Sequence, residues 1–413
     1  MISIKGSNNK SSIILYTILV FIAVYLNLSS LGVSLRISNE VYLGTSLAFY
    51  VAYYFIYSIN NGFHLNFKAL LLLLCSYVSI FLTMLFNQDF DILNFVIILQ
   101  ILIAFLFINT ISFDDFVRAY IRVILFISIF SLVIMFVIVP FFSGISSLFP
   151  LRYNSTGLAV RDYIFSFHFE SHSVASRRNT GIFREMGVYQ FYLNMALLMY
   201  LFYLRENKVI VILIFSATVI STFSTPGILF MFLILIVYLY ENYKKELVKV
   251  FKLIFSLSFL FLIVFLFYPN IFSDFIYSIN KLSEQGNSFN GRLGSIIGNI
   301  LAWVHNPLIG NGINNGIKLA EEMYLGQFTT HNTSTTTSFM AMFGIFFSIL
   351  MSLPIILLLN KLKIKTISKL VLVFGLFLSI NSERLIYDQF YYIFVFCYFM
   401  KISIIDKVNG KVW

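Results

Sequence analysis

Charged residues are scarce in this chain. Of its 413 residues only 11% are Asp, Glu, Lys or Arg, whereas 59% are hydrophobic and the mean hydropathy is +0.89. A soluble globular domain has about a quarter charged residues, so the composition excludes that class and predicts a polytopic membrane protein. The formal net charge of +10 would suggest a nucleic acid partner for a soluble protein. Here the basic residues follow membrane topology instead, and we expect no nucleic acid partner.

Cysteine is nearly absent, and nucleotide-binding motifs are not found. The two cysteines, Cys75 and Cys397, lie within apolar runs, so the sequence does not support a disulfide framework. The chain has no P-loop and no Rossmann glycine pattern. These absences argue against chemistry on nucleotide sugars. A sugar donor used on the outer face should therefore be linked to a lipid.

Apolar runs with the length of a transmembrane helix, about 20 residues, recur along the chain. The first run follows two lysines and is similar to a secretory signal, but it lacks a small-residue cleavage site and further spans follow, so we interpret it as a transmembrane helix. The run over residues 209–240 is divided at STFSTPG, because Pro226 and Gly227 favour a turn. Twelve spans are predicted: Ser12–Ser30, Val41–Ser58, Lys68–Phe86, Ile92–Ile111, Val123–Phe142, Val188–Leu204, Val209–Thr222, Pro226–Tyr240, Leu253–Tyr268, Thr336–Leu359, Leu370–Asn381 and Gln389–Met400.

The distribution of basic residues tests this all-α architecture, a single integral membrane domain over residues 1–413. Threading the spans from a cytoplasmic amino terminus puts 18 of the 28 basic residues in inside segments, and short outside loops receive only Arg36 and Arg384. Both termini are then cytoplasmic. The other eight basic residues lie in two long outside loops, residues 143–186 and 269–335, to which the positive-inside rule does not apply. Those eight residues need another explanation.

The end of the first long loop has the densest charge in the sequence. The segment RRNTGIFREMG contains Arg177, Arg178, Arg184 and Glu185 directly before a span. Guanidinium groups bind phosphate through two parallel hydrogen bonds and stay charged at any relevant pH, so the pattern indicates binding of an anionic, lipid-linked headgroup. The structural alternative is that the arginines extend to lipid phosphates and pair with Glu185.

The second long loop has a candidate proton acceptor. Arg292 begins an amphipathic helical stretch, HNPLIGNG predicts a tight turn, and His331 stands just before the next span. A histidine in that position can take a proton from a sugar hydroxyl group at neutral pH. The alternative is that His331 is a capping or interfacial residue. His305, in the turn, is interpreted as structural.

Two further polar groups are weaker candidates. The segment HFESH places Glu170 between two histidines on one face of an extended strand, which is compatible with a metal site, although such spacing is common in polar loops. In the last outside turn, Glu383, Arg384 and Asp388 either complete a cavity or form an interfacial ion pair. The interfacial ion pair is the favoured interpretation.

Four sequence blocks, taken in order, resemble the O-antigen polymerase and ligase superfamily. They are RRNTGIFREMGVYQFYLN, the STPGI turn, GRLGS with NPLIGNG, and HN before an apolar span that reaches MFG. The resemblance extends from Arg177 to Gly344, and within the superfamily the chain is similar to a Wzy-type polymerase of O-antigen or capsular polysaccharide repeat units. One difference is Met186, where the family often has proline. The spacing between the HN pair and Gly344 is longer than in ligases, which favours a polymerase.

The resemblance implies a C-type integral-membrane glycosyltransferase of the bacterial inner (plasma) membrane. Such an enzyme acts at the outer leaflet on undecaprenyl-pyrophosphate-linked glycans and needs no metal or other cofactor. Besides these glycans and the lipid bilayer, a chain-length regulator and a flippase are implied partners. The residues matched by position are Arg177, Arg178, Arg184 and Arg292 for binding the substrate pyrophosphate, and His331 and Glu185 for catalysis.

Two other functions stay open. One is a ligase that moves a finished glycan to a different acceptor. The other is a transporter of lipid-linked sugars, which predicts charged or broken helices at the bilayer midplane and an internal repeat. The sequence shows neither feature, since its charge lies in loops.

Overall fold

The computed structural model describes residues 10–25, 39–63, 65–153, 158–170, 178–242, 287–324, 332–362 and 364–401, and most of these are helical. The main helices are α1 Lys10–Tyr25, α2 Asn39–Asn61, α3 Phe67–Asn87, α4 Ile92–Ile108, α5 Phe113–Val133, α6 Ser143–Ser147, α7 Met186–Leu198, α8 Val209–Ser221, α9 Thr225–Asn242, α10 Asn287–His305, α11 Ile313–Met323, α12 Thr336–Leu358, α13 Thr366–Ile380 and α14 Gln389–Cys397. Helix α5 continues through a π-helical turn, Ile134–Ile138, into Val139–Phe141, and α7 continues through another, Met199–Tyr203. A 3₁₀ turn, Leu359–Lys361, ends α12.

Helices occupy eleven of the twelve predicted spans, and the twelfth, Leu253–Tyr268, lies outside the described residues. Among the described residues, four helices are long and apolar enough to cross a membrane: Phe67–Asn87, Phe113–Phe141, Thr225–Asn242 and Thr336–Lys361. The chain is therefore a helical membrane protein, as its composition predicts. The number of passes stays a prediction.

The predicted division at STFSTPG is confirmed. Helix α8 ends at Ser221 and α9 begins at Thr225, and between them Phe223 has a positive φ of 50°. Pro226 lies in the first turn of α9, where its missing N–H leaves no intrahelical hydrogen bond unmade. The proline is therefore compatible with the start of α9.

Two helices, α7 and α14, form the centre of the bundle. All residues of α7 from Gly187 to Leu198 are buried, as are all residues of α14. Apart from Gln190 and Asn194, whose amides form a 3.1 Å hydrogen bond with each other, α7 is apolar on every side, and such a helix is stable only in the interior. The ring of Tyr192 stacks on Phe183 at 5.1 Å and meets Phe390 of α14 at 5.4 Å, measured between ring centroids. The segments that precede α7 and α14 are therefore fixed relative to each other.

Polar contacts show which residues lie at each end of the bundle. At one end, Asn66 donates a 2.8 Å hydrogen bond to Asn109, and the Lys361 ammonium donates to the carbonyl oxygen of Met400 at 3.1 Å. We call this the Lys361 end. At the other end of α3, the Asn87 amide donates to the carbonyl oxygen of Gly310 at 3.1 Å. This second end also contains Glu383, so we call it the Glu383 end.

The second long loop contains a helical hairpin that packs on an interrupted helix. Helices α10 and α11 flank the predicted HNPLIGNG turn, which is confirmed. The turn pairs with the backbone of α12: Gly312 N donates to Met342 O at 2.9 Å, and Ile345 N donates to Pro307 O at 2.9 Å. This pairing is possible because α12 is interrupted at Gly344, which has φ 80° and ψ 177°. The sequence analysis found no broken helix, so the break corrects that prediction.

The first long loop contains a small sheet that the all-α prediction lacked. Strands β1 Leu151–Tyr153, β2 Ala159–Asp162 and β3 Phe167–Phe169 pair antiparallel in that order. Arg152 contacts Asp162 at 3.1 Å, and Arg161 donates at 3.0 Å to the carbonyl oxygen of Phe149. Two of the eight basic residues in the outer loops are therefore explained by local structure.

We expect Gly344→Ala to lower the stability of the fold by about 1 to 3 kcal/mol, because its backbone conformation is open almost only to glycine. A Cβ atom at Gly344 would also lie 2.1 Å from the carbonyl oxygen of Leu308. Thermal unfolding of the purified protein in detergent measures the effect. Gly44→Ala is the matched control, since nothing lies within 4 Å of a Cβ atom there. Equal unfolding temperatures for both variants would contradict the role of the break.

Candidate functional site

Four charged residues from three separate parts of the chain meet at the Glu383 end of the bundle. Arg292 Nη2 of α10 lies 3.6 Å from Glu383 Oε1 in the segment between α13 and α14. Glu185, which precedes α7, and Arg178 both lie close enough to Glu383 for their charges to act on its carboxyl group. We call Arg178, Glu185, Arg292 and Glu383 the carboxyl-guanidinium cluster. The side chain of Glu383 is only 9% exposed, whereas that of Glu185 is 48% exposed.

Local packing fixes the position of Glu383. A Cβ atom on Gly187 would lie 1.6 Å from Glu383 Oε1, so the carboxyl group occupies the space beside α7 that only a glycine leaves free. The backbone of Glu383 is held from α12: the Thr335 hydroxyl group donates to the carbonyl oxygen of Glu383, and Leu385 N donates to Thr335 Oγ1 at 2.9 Å. Contacts with α7 and with the residue before α12 therefore fix the segment that carries this carboxyl group.

Burial decides the charge state of Glu383. Removal from water, strengthened by the neighbouring Glu185, raises the pKa of Glu383 well above its ordinary value, while Arg292 and Arg178 act in the opposite direction. A charge-assisted contact between a guanidinium group and a carboxylate is about 2.7 to 2.9 Å long. The longer 3.6 Å contact with Arg292 is consistent with a neutral carboxyl group.

A polar stripe on α10 anchors the chain next to the cluster. Arg292, Ser295 and Asn299 lie on one face of the helix, since they are three and four residues apart. Asn299 and Asn332 exchange hydrogen bonds of 3.1 and 2.8 Å between their side chains, and Thr333 N donates to Ser295 Oγ at 3.1 Å. The residues that follow His331 are thus fixed on the same helix face as Arg292.

The structure brings together three of the predicted site residues, Arg178, Glu185 and Arg292. Arg184 lies at the surface beside them: its guanidinium group is 54% exposed and 3.8 Å from Glu185. A pair this exposed contributes little stability. The remaining two predicted residues, Arg177 and His331, lie outside the described residues.

The weaker candidates have different outcomes. Glu170 of HFESH pairs with Arg161 and so serves the small sheet, while burial lowers the pKa of His168. The second histidine of that segment, His172, lies outside the described residues. Within the part of the chain that the structure describes, no group of three or more His, Cys, Asp or Glu residues is placed to hold a metal ion.

The interfacial ion pair favoured for the last outside turn is wrong for Glu383. Its side chain is buried and faces Arg292 and Glu185. Asp388 accepts hydrogen bonds from Phe390 N and Tyr391 N and so caps α14. Glu383 therefore belongs to the site, although its position in the sequence favoured a peripheral role.

Sequence reasoning overlooked two other features. The spacing of Arg292, Ser295 and Asn299 on a predicted helix was a visible signal for a polar stripe. Asp89 and Asp91, two residues apart after α3, were another visible signal. Their separation allows both carboxylates to accept hydrogen bonds from the same donor group. Both carboxylates accept from the Asn314 amide, at 3.1 and 3.0 Å, and thereby anchor the start of α11.

We expect the stability of the protein to respond to the charge state of Glu383. The folded protein binds this proton more tightly than the unfolded chain, so the stability it contributes is complete below the ordinary pKa of 4.5 and is lost as pH rises through the raised pKa. Glu383→Gln, which cannot ionise, should gain stability relative to wild type as pH increases. Thermal unfolding over a pH series measures this, with exposed Glu322→Gln as control. A difference that is the same at every pH would contradict the buried neutral carboxyl group.

Comparison of the chain with models of known protein families, with curated proteins and with solved structures finds no match. The chain is therefore characterised by its own geometry, as a helical membrane protein with a carboxyl-guanidinium cluster at one end of the bundle.

Proposed function

We propose that the protein is a membrane glycosyltransferase that polymerises undecaprenyl-pyrophosphate-linked oligosaccharide repeat units at the outer face of the plasma membrane. The observation that carries this proposal is the carboxyl-guanidinium cluster, in which Arg178 and Arg292 adjoin Glu185 and Glu383. A pair of guanidinium groups suits a pyrophosphate, and an adjacent carboxyl group suits proton transfer. Both kinds of chemistry are required where a sugar leaves a pyrophosphate and joins a hydroxyl group.

The cluster is accessible on one side. The Arg292 side chain is 28% exposed, and Glu185 and Arg184 are about half exposed, whereas Glu383 lies behind them. A pyrophosphate that approaches from this side meets guanidinium groups before it meets the buried carboxyl group. The two arginines would stabilise the negative charge that gathers on the departing pyrophosphate.

The proposed reaction is a displacement at the anomeric carbon of the growing glycan. A hydroxyl oxygen of the incoming lipid-linked unit forms a bond to that carbon, and the bond from the carbon to the pyrophosphate oxygen breaks with its electron pair. The hydroxyl proton passes to His331 or to Glu185. Glu185 supports this role because its carboxyl group is half exposed beside the arginines.

The arrangement of the two ends supports an extracytoplasmic site. Predicted inside residues such as Asn66, Asn109 and Lys361 share one end of the bundle, and the cluster lies at the other. Segments threaded to the same side of the membrane thus meet at the same end. The predicted topology then assigns the cluster to the outer side, where lipid-linked repeat units would be joined.

One observation favours a transporter of lipid-linked sugars, namely the break in α12 at Gly344. Backbone groups that the break frees already have hydrogen-bond partners, however. Met342 O accepts from Gly312 N, and Ile345 N donates to Pro307 O. None of the hydrogen bonds made at the break involves a residue of the carboxyl-guanidinium cluster. The polymerase is therefore the better supported function.

Replacing Arg292 by lysine tests the arginine chemistry. Lysine keeps the charge and loses the planar fork, so we expect Arg292→Lys to reduce turnover on the order of a hundredfold. The measurement is the formation of longer glycans from purified lipid-linked single units. Lys318→Arg is a matched control in the same loop, because Lys318 forms an exposed pair with Glu322. Equal loss in both variants would remove Arg292 from the mechanism.

Replacing His331 tests the proton acceptor and separates a polymerase from a ligase. In a deletion strain complemented with His331→Ala, we expect the ladder of surface glycan to disappear while single-unit glycan is retained, because the hydroxyl group is no longer activated. Gel electrophoresis of surface glycan measures both. An unchanged ladder would exclude His331. Loss of single-unit glycan as well would indicate a ligase.

A further inference from the structure

The carboxyl group of Glu383 lies beside Arg292, which is the charge partner that an anionic ligand would need. It lies 3.6 Å from Arg292 Nη2, and no Cβ atom separates it from the first turn of α7. Neither contact is needed to fix the Glu383 backbone, because Thr335 already forms hydrogen bonds with Glu383 O and Leu385 N. The carboxyl group is thus an internal partner for a guanidinium group that is partly exposed to solvent.

Glu383 has two charge states with different consequences for Arg292. As the neutral acid it has no negative charge to hold Arg292 and leaves the Arg292 fork for another acceptor. As the carboxylate it would shorten its contact with Arg292 and cancel one positive charge of the cluster. Each proton taken up by Glu383 therefore adds one positive charge to the site.

We propose that Glu383 is a positioning residue that competes with the ligand's diphosphate group for Arg292, so that the site binds a diphosphate well only when Glu383 is protonated. This inference rests on the proposed function, since it concerns the same arginines. It adds that diphosphate binding and proton uptake are coupled, and the coupling is reciprocal. The ligand class is a diphosphate ester, whether attached to a lipid or free.

The charged groups that face Glu383 set the strength of this coupling. Glu185, from the start of α7, favours the protonated form, as burial does, while Arg292 of α10 and Arg178 favour the ionised form. The charge next in sequence, Arg384, contacts Tyr387 at 3.2 Å and lies over its ring. A diphosphate that engages Arg292 and Arg178 withdraws the two groups that favour ionisation. Bound ligand should therefore strengthen the hold of Glu383 on its proton.

Direct binding measurements on the full-length protein in detergent test the coupling. The probes are inorganic pyrophosphate, a short polyprenyl pyrophosphate and the matching uncharged polyprenol. Isothermal titration between about pH 5 and about pH 9, in buffers of different ionisation enthalpy, gives the affinity and the number of protons taken up. We expect the affinity of wild type for the pyrophosphates to fall on the order of tenfold or more as pH rises, with proton uptake on binding.

Variants identify the group responsible. Glu383→Gln mimics the neutral acid, so it should lose the part of the fall in affinity and of the proton uptake that wild type shows beyond the ionisation of the pyrophosphate itself. Glu322→Gln makes the same chemical change at an exposed position and should behave as wild type. If Glu383→Gln retains the pH dependence of wild type, the proposal is overturned. If that variant does not fold, the wild-type proton count decides: binding without proton uptake overturns the proposal.

The outcome is distinguishable from that of the proposed function. Proton-coupled binding of pyrophosphate in a protein that joins no repeat units would support the role of Glu383 and overturn the polymerase. Polymerisation together with pyrophosphate binding that is independent of pH would support the polymerase and overturn the role of Glu383. Tighter binding of the polyprenyl pyrophosphate than of inorganic pyrophosphate would identify a lipid-linked ligand. Equal affinities would identify a free diphosphate. Either result supports the proposal if proton uptake accompanies binding.

Discussion

The contact between a buried carboxyl group and the first turn of a buried helix constrains the whole Glu383 end of the protein. Glu383 fits there because Gly187 has no side chain, and α7 is fixed there because all of its residues from Gly187 to Leu198 are buried. Moving either element would take an ionisable group into hydrocarbon or leave it without its neighbours. The charges of Arg178, Arg292 and Glu185 are therefore gathered around a point that the packing of α7 and α14 has already determined.

Backbone contacts determine the second half of the site. The hairpin of α10 and α11 is attached to α12 through main-chain hydrogen bonds at Gly312 and Ile345. The two backbone segments approach closely because Gly310 and Gly344 have no side chains. An interrupted helix near membrane depth is stable only where its free N–H and C=O groups find partners. The turn supplies those partners, and in doing so it orients the polar face of α10 toward Glu383.

The site combines opposite charges in a way that serves binding more than stability. A buried ion pair contributes little net stability, because desolvation offsets the attraction between the charges. Arg292 and Glu383 remain 3.6 Å apart and Glu185 is half exposed, so the cluster is not optimised as a salt bridge. Such an arrangement leaves the guanidinium groups able to exchange an internal partner for an external one. That capacity is what pyrophosphate chemistry requires and what a purely structural ion pair lacks.

The sequence alone determined the class of the protein, the positions of its helices and half of its site. Apolar runs predict helices because a chain in lipid must satisfy its own backbone, and Arg178, Glu185 and Arg292 were visible as rare charges beside such runs. The small sheet at Arg152, the break at Gly344 and the burial of Glu383 were decided only by the tertiary structure. The break and the burial depend on contacts between segments far apart in the chain, and local patterns of hydropathy carry no information about which distant group will fill the space beside a glycine.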